Sequence, residues 1–429
     1  MIRRLSQSAS LRLFSTAVID QAMLSAANFA VGLLMIRYAP GHEYGYYVLA
    51  FSSIQLLVSA QGSWMSGPLA VLAPKRTDEE RRLMVGVIES SQRRFVRRWA
   101  IAAAPLPLLG ATLHLWPWHD AWIACATVVA GWMTLRREYM RSVLMIYNRP
   151  SAVLQLDMVY VAVLISAALL ASLAVPAAGA GAVLGLAIAA ALGGWHGRRS
   201  IHRSVGWQAG PAQQAWLDLR PLAKWGTLSA MIYWVYSQSY NFVLAGHLGL
   251  AEVVDVNAAR LMLMPITLLS VGVGSLLIPN AAGWLHREGL PYLVRRLWGF
   301  CAGLLMLALI YIAFIWWCHE WVARDLMREN IGSLKLLLAM WSILLATSMV
   351  RDVFQSALIA LQRYREMAAL TAAAAMCALG SMLLLIPRLG APGAMGGMLV
   401  GEAISLSGVA LLLAQSYRRH RAPPVVPSA

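Results

Sequence analysis

Apolar runs of about 20 residues recur along the whole chain, and each is long enough to cross a hydrocarbon core about 30 Å thick. Only 13% of the 429 residues are charged, against a usual share of about 25% in soluble domains. This deficit excludes an ordinary soluble enzyme. The sequence therefore predicts an all-α integral membrane protein that crosses the bilayer many times.

About twelve spans fit the hydropathy. The predicted spans are 13–37, 44–73, 99–116, 119–135, 152–173, 177–195, 223–247, 253–281, 297–317, 332–360, 367–386 and 391–416. They divide evenly into two lobes of helices. The predicted domains are an N-terminal lobe at 1–195, a basic cytoplasmic linker at 196–222, a C-terminal lobe at 223–417 and a cytoplasmic tail at 418–429.

Most of the 35 Lys and Arg residues fall at the N-terminus and in alternate loops. Because cytoplasmic loops are enriched in these residues, both termini are expected in the cytoplasm. The net charge of +16 is then a topology signal, and no nucleic-acid partner is predicted. In the linker, Trp207, Trp216 and Leu219 are expected to rest on the membrane interface.

The two halves resemble each other weakly in the order of their features. Each has a polar-faced helix, a tight outer turn and a span that contains proline. The NFAV sequence at Asn28 corresponds to NFVL at Asn241, and Glu43 in the first turn corresponds to Glu252 in the second. An even number of spans per half implies a pseudo-twofold axis along the membrane normal. This layout is typical of transporters that work by alternating access through a central cleft.

Polar residues inside the spans are costly and therefore mark candidate sites. They concentrate on the first two helices of each half, which are the expected cleft walls. The polar candidates are Gln21, Asn28, Gln55, Tyr236, Tyr240, Asn241 and Arg260. Polar contacts between helices are an alternative role for such groups. The tyrosines offer stacking faces and hydroxyl groups suited to sugars.

The spans also contain an acid, an adjacent Arg–Asp pair and three prolines, from which further predictions follow. The carboxylate of Asp20 needs a cation, water or a proton inside the membrane. Arg351 and Asp352 point about 100° apart on a helix and are not expected to pair with each other. Pro68, Pro265 and Pro279 are expected to bend their spans and to act as hinges.

The sequence contains none of the metal-binding, nucleotide-binding or hydrolase motifs that we considered. The four cysteines are scattered without metal-ligand spacing. There is no Walker A, HExxH or GxSxG motif. We therefore expect no cofactor, no metal site and no enzymatic activity.

The stretch from Leu33 to Leu57 resembles the start of the polysaccharide biosynthesis, or O-antigen flippase, proteins. These belong to the multidrug/oligosaccharidyl-lipid/polysaccharide exporter superfamily. The similar features are the basic N-terminus, the polar-faced first helix, the turn around Pro40 and Glu43, and a second helix that ends near Pro68.

The resemblance implies that the chain flips a lipid-linked oligosaccharide, usually on undecaprenyl diphosphate, across a bacterial inner membrane for a surface polysaccharide. Gln21, Asn28, Tyr236, Tyr240 and Asn241 would contact sugar hydroxyls. Arg260, and more weakly Arg37 or Arg351, would hold the diphosphate. Two driving forces are compatible with this resemblance: Asp20 would couple transport to Na⁺ or H⁺, or removal of the head group outside would pull the equilibrium. Implied partners are the lipid-linked glycan, membrane lipids, and a polysaccharide polymerase with its export machinery.

Other functions remain open at this stage. A cation-coupled multidrug exporter of the same superfamily would share the architecture. A membrane glycosyltransferase or polymerase commonly needs acidic residues at an outer site, and only Glu320, Asp325 and Glu329 are available there. A non-transporting scaffold in a polysaccharide assembly complex is a further alternative.

Overall fold

The computed structural model describes residues 2–73, 76–173, 177–205, 212–327 and 333–421. Helices make up 94% of the structure, and its described residues include no strand. The predicted fold class, an all-α membrane protein of about 12 long helices, is confirmed.

The helices begin and end as follows. From the N-terminus they are α1 Ile2–Tyr38, α2 Gly41–Gln61, α3 Gly67–Leu72, α4 Asp78–Ala103, α5 Pro105–Thr112, α6 Trp118–Ile146, α7 Pro150–Leu173 and α8 Ala178–Ser204. Then follow α9 Ala212–His247, α10 Leu250–Met262, α11 Met264–Trp321, α12 Leu334–Ala360, α13 Tyr364–Leu389 and α14 Ala391–Arg421. π-Helical turns at Gly62–Ser66 and Val322–Met327 follow α2 and α11.

Within the described residues, 7 helices are long and apolar enough to cross a membrane by length and composition alone. These segments are Ile19–Tyr38, Pro150–Leu173, Ala178–Arg203, Gly283–Arg324, Leu334–Ala360, Tyr364–Leu389 and Ala391–Arg418. The other predicted spans are interrupted or carry more polar residues. For example, the second predicted span is divided among α2, a π-helical turn and α3.

The prolines mark two of these interruptions. Pro68 lies in the first turn of α3, directly after the π-helical turn, because proline has no N–H for the preceding helical hydrogen bond. Pro265 is the second residue of α11, which begins after a break at Leu263. In contrast, Pro279 lies within α11, whose internal non-helical residue is Gly289 at φ 80°. Whether any of them acts as a hinge stays a prediction.

The chain divides into two compact units, and α9 passes from one to the other. Among the described residues, the first unit comprises those up to Trp234 together with Met327, and the second comprises the others from Val235 onward. Leu219 of α9 is fully buried in the core of the first unit, and Trp216 packs against that core. The expected position of Leu219 at the membrane interface is therefore wrong, because its side chain fills the core. Trp207 lies outside the described residues.

The basic segment before the third predicted span is also helical. Thr77 caps α4, and its hydroxyl oxygen accepts a hydrogen bond from the backbone N–H of Glu80 at 3.4 Å. The side chain of Glu80 accepts one from the backbone of Thr77 in return, and this bond lowers the pKa of the Glu80 carboxyl. Val85 and Ile88 of α4 are fully buried. The segment thus contributes to the core and is not a simple loop.

The tight turn between α1 and α2 brings Glu43 into contact with the first turns of α6 and α8. Glu43, in the first turn of α2, is fully buried. Its carboxylate accepts a hydrogen bond from the N–H of Gly179 at 2.6 Å, in the first turn of α8. Nε2 of His119, in the first turn of α6, lies 2.8 Å from Glu43 Oε1. A Cβ on Gly179 would lie 2.7 Å from the backbone oxygen of Glu43, so this close approach requires glycine.

We expect Glu43→Gln to lower the apparent melting temperature of the purified protein in detergent. The substitution removes the charge of a buried acceptor, and a hydrogen bond to a charged group contributes about 1.5–3 kcal/mol. Glu252→Gln is the matched control, because Glu252 lies in the first turn of α10 and is half-buried. Equal melting temperatures for the two variants would contradict this role of Glu43.

Candidate functional site

The first unit buries a group of charged residues between α1, α6 and α7. Asp20 is 2% exposed, and its Oδ2 accepts a hydrogen bond from Nη2 of Arg141 at 2.6 Å. Nε of Arg141 donates to Oδ2 of Asp157 at 2.9 Å. Arg137 donates to the other oxygen of Asp157. We call Asp20, Arg137, Arg141 and Asp157 the α1–α6–α7 charge cluster.

Arg137 is the most enclosed cation of this cluster. Its guanidinium lies 3.6 Å from the ring centroid of Tyr160 and donates to Glu138 at 2.6 Å. Gly193 and Gly194 of α8 lie against it, since a Cβ on Gly194 would be 3.4 Å from Cα of Arg137. The close approach of α8 seals the cluster on this side. Its arginines therefore serve as counter-ions inside the helix bundle.

A cavity of about 730 Å³ borders the cluster. Arg141 and Arg81 both line it, together with the hydroxyl-bearing Ser66 and Ser142 and the amide of Asn148. Arg81 is already engaged, because it pairs with Asp78 at 3.1 Å and donates to the carbonyl oxygen of Ala73 at 2.9 Å. The cavity is polar, but its two arginines are mostly committed to protein acceptors.

The predicted polar candidates of the first unit take no part in the hydrogen bonds of this cluster. Gln21 is exposed, whereas Asn28 and Gln55 are half-buried. Among the described residues, none of these three side chains has a hydrogen-bond partner. Arg37 lies with its guanidinium 5.4 Å from the ring centroid of Tyr38. The structure therefore leaves the amides of Gln21, Asn28 and Gln55 available to water or to a ligand.

In the second unit, three of the predicted residues come together around Asn257. The amide of Asn257 donates to Oδ1 of Asn241 at 2.7 Å, and its own Oδ1 accepts from the hydroxyl of Tyr240 at 3.0 Å. Nη1 of Arg260 donates to the Tyr240 oxygen at 3.1 Å. Trp341 of α12 lies beside them, with ring centroid 5.8 Å from that of Tyr240. We call Tyr240, Asn241, Asn257 and Arg260 the α9–α10 polar network.

The other two candidates of this unit form a separate group. Tyr236 donates to Oε2 of Glu402, which also accepts from Nη1 of Arg351 at 2.8 Å. Nη2 of Arg351 lies 2.9 Å from Asp352. The prediction that Arg351 and Asp352 do not pair is wrong. The Arg351 side chain is long enough to reach its neighbour on the helix, so its guanidinium contacts two carboxylates, those of Asp352 and Glu402.

Sequence reasoning missed several residues of these groups. Arg137 and Arg141 counted only as cytoplasmic charges, and Asp157 was not selected as a site. A signal was present for Asp157, because an acid inside an apolar helix needs a cation nearby. Finding which arginine supplies that charge requires the packing of α6 against α7.

Solved structures share this fold at low sequence identity. The chain is similar to an inward-facing multidrug resistance MATE family transporter of the MOP superfamily, with 13% identity, 94% of this chain and 96% of that chain covered, and a TM-score of 0.77. It is also similar to the lipid II flippase MurJ in an inward closed conformation, with 12% identity, coverage of 94% and 87%, and a TM-score of 0.74. An outward-facing MATE transporter matches with 14% identity, coverage of 96% and 97%, and a TM-score of 0.66. No family model and no curated protein matches the sequence.

We expect Arg141→Met to destabilise the protein by about 3 kcal/mol, because it leaves two buried carboxylates without this cation. Adding Asp20→Asn should restore part of the loss, since one of those carboxylates is then neutral. Equilibrium unfolding in mixed micelles with increasing sodium dodecyl sulfate measures the effect. Lys335→Gln is the control, because the Lys335–Glu320 pair is exposed and should contribute less than about 1 kcal/mol. A loss for Arg141→Met no larger than this control would contradict the structural role.

Proposed function

We propose that this chain is a transporter that moves a lipid-linked oligosaccharide from the inner to the outer leaflet by alternating access. The proposed carrier is undecaprenyl diphosphate, and the proposed product is a surface polysaccharide. The fold supports this proposal, because solved structures with the same fold include a lipid flippase as well as multidrug transporters. We place the protein in a bacterial inner membrane, with both termini in the cytoplasm and polysaccharide polymerase and export machinery as partners.

The observation that carries the proposal is the set of amides on α1 and α2 that have no protein partner. Asn28 and Gln55 are half-buried in predicted spans, and neither is among the described residues with a fully enclosed, unpaired side-chain polar atom, so their amides lie on accessible surface. Polar groups in such positions normally pair or line a water-filled path. Amides can both donate to and accept from sugar hydroxyls. A passing oligosaccharide head group would therefore satisfy them.

The α9–α10 polar network contains a cation, Arg260, that could bind the diphosphate of the same substrate. Arg260 donates to the neutral hydroxyl of Tyr240 at 3.1 Å. A phosphate oxygen would accept a shorter and stronger hydrogen bond than a phenol does. Tyr240 and Asn241 could then turn to sugar hydroxyls. We propose Arg260 as the main diphosphate ligand, because Arg351 already holds Glu402 and Asp352.

A second candidate function is cation-coupled export of multidrug substrates. Two observations favour it: the similarity to MATE transporters, and the buried Asp20, whose Oδ1 has no hydrogen-bond partner in the described part of the chain. However, Arg141 lies 2.6 Å from the other oxygen of Asp20. Because this guanidinium already supplies the compensating charge, we rank the flippase first.

Flipping can be measured in proteoliposomes that contain a fluorescent lipid-linked oligosaccharide. The readout is the fraction that a membrane-impermeant reagent reaches with time. We expect Asn28→Leu combined with Gln55→Leu to slow flipping by about tenfold or more, which corresponds to about 1.4 kcal/mol. Gln415→Leu is the control, because Gln415 is an exposed amide of α14. Flipping at the wild-type rate by the double variant would overturn the assignment of these amides.

The same vesicles separate the two candidate functions. We expect the wild-type flipping rate to stay unchanged when the Na⁺ or pH gradient is collapsed, because Arg141 neutralises Asp20 without an added cation. If the chain is instead a cation-coupled exporter, its transport rate should follow the Na⁺ or pH gradient. The Asp20→Asn variant should then lose this dependence on the gradient. Gradient-driven efflux of small amphiphiles, lost in Asp20→Asn, would reject the flippase in favour of the exporter.

A further inference from the structure

An apolar groove of about 620 Å³ runs along one side of α14, between α11 and α12. Its volume is within the range of about 300–1,000 Å³ that is usual for ligand pockets. Trp298 of α11 and Phe354 of α12 line it, and their rings meet edge to face at a centroid distance of 4.9 Å. All of its lining residues belong to the second compact unit.

The α14 side of the groove is a single stripe on the helix. The lining residues of this stripe are Leu406, Val409, Ala410, Leu413, Ala414, Tyr417 and Arg418. They recur every three or four positions and so share one face. From Leu406 to Arg418 the helix rises about 18 Å, at about 1.5 Å per residue. This length is close to one leaflet, or half of a hydrocarbon core about 30 Å thick.

The two ends of the groove differ in chemistry. Most of its length is apolar, whereas Tyr417 and the exposed Arg418 close one end. Arg295 and Arg296 follow Val294, a lining residue of α11, and their guanidinium groups lie 5.5 and 5.1 Å from the ring centroid of Tyr292. None of the lining residues is acidic, and within the described residues Arg418 takes part in no ion pair. One end therefore suits an anionic group that is attached to a hydrocarbon chain.

We propose that this groove binds an anionic membrane phospholipid. One acyl chain lies along the stripe from Leu406 to Ala414, and the phosphate pairs with Arg418 at the membrane surface. Three features fit this ligand: the apolar lining, the length of one leaflet and the cation at the end. A zwitterionic lipid would fill the same apolar volume but would gain less from Arg418, because its own positive group opposes the arginine.

Native mass spectrometry of the delipidated full-length protein tests the proposal. The protein in detergent is mixed with equal amounts of phosphatidylglycerol and phosphatidylcholine, and the bound lipids are counted. We expect at least fivefold more phosphatidylglycerol than phosphatidylcholine on the wild-type protein. Arg418→Gln should remove this preference. Equal retention of the two lipids by the wild type would overturn the proposal.

A matched pair of variants locates the lipid. Ala410→Phe places a ring in the groove and should reduce bound phosphatidylglycerol at least fivefold. Ala403→Phe makes the same change at an exposed position of α14 outside the groove and should change nothing. If the Ala410→Phe variant retains as much phosphatidylglycerol as the Ala403→Phe variant does, the lipid binds outside this groove. Displacement of phosphatidylglycerol by an equimolar polyprenyl phosphate would overturn the phospholipid assignment in favour of the tail of a lipid-linked substrate.

Discussion

A buried carboxylate needs a compensating positive group, and this constraint organises both compact units. Asp157 lies against Arg137 and Arg141 in the first unit, and Glu402 lies against Arg351 in the second. Glu43 instead accepts from an N–H in the first turn of α8, where the helix dipole favours negative charge. The pairings of Glu43 and Glu402 join helices that are distant in sequence, whereas Asp157 joins the consecutive helices α6 and α7. The charged pairs therefore restrict which helix faces can meet within each unit.

The same constraint bears on how the molecule works. A carboxylate that is paired with a fixed guanidinium has less need of a transported cation, so the pairing of Asp20 with Arg141 argues against ion coupling at this position. Amides without a protein partner, in contrast, favour binding of a polar ligand. The amides of Asn28 and Gln55 are half-buried without a protein partner among the described residues, and the hydroxyl groups of a sugar would supply hydrogen-bond partners for them. The contrast between paired charges and unpaired amides is the physical basis of the proposed flippase.

The sequence was sufficient to predict the helical membrane fold and the tight turn between α1 and α2, because both depend on hydropathy and local turn chemistry. It also placed Tyr240, Asn241 and Arg260 on neighbouring helices. It did not predict the hydrogen bonds that join Asn257 to Tyr240 and Asn241, since those contacts depend on the register between α9 and α10. Leu219 and the pairing of Arg351 with Asp352 were misjudged for a related reason. Core packing and side-chain reach are properties of the assembled helices, which periodicity alone does not encode.

Analysis of lipid-linked intermediates after deletion of the gene tests the central claim most directly. If the chain flips a lipid-linked oligosaccharide, the deletion strain accumulates that intermediate in the inner leaflet and loses the surface glycan. Re-expression of the wild-type chain restores the glycan and clears the intermediate. Normal surface glycan with no accumulated intermediate in the deletion strain would contradict the account.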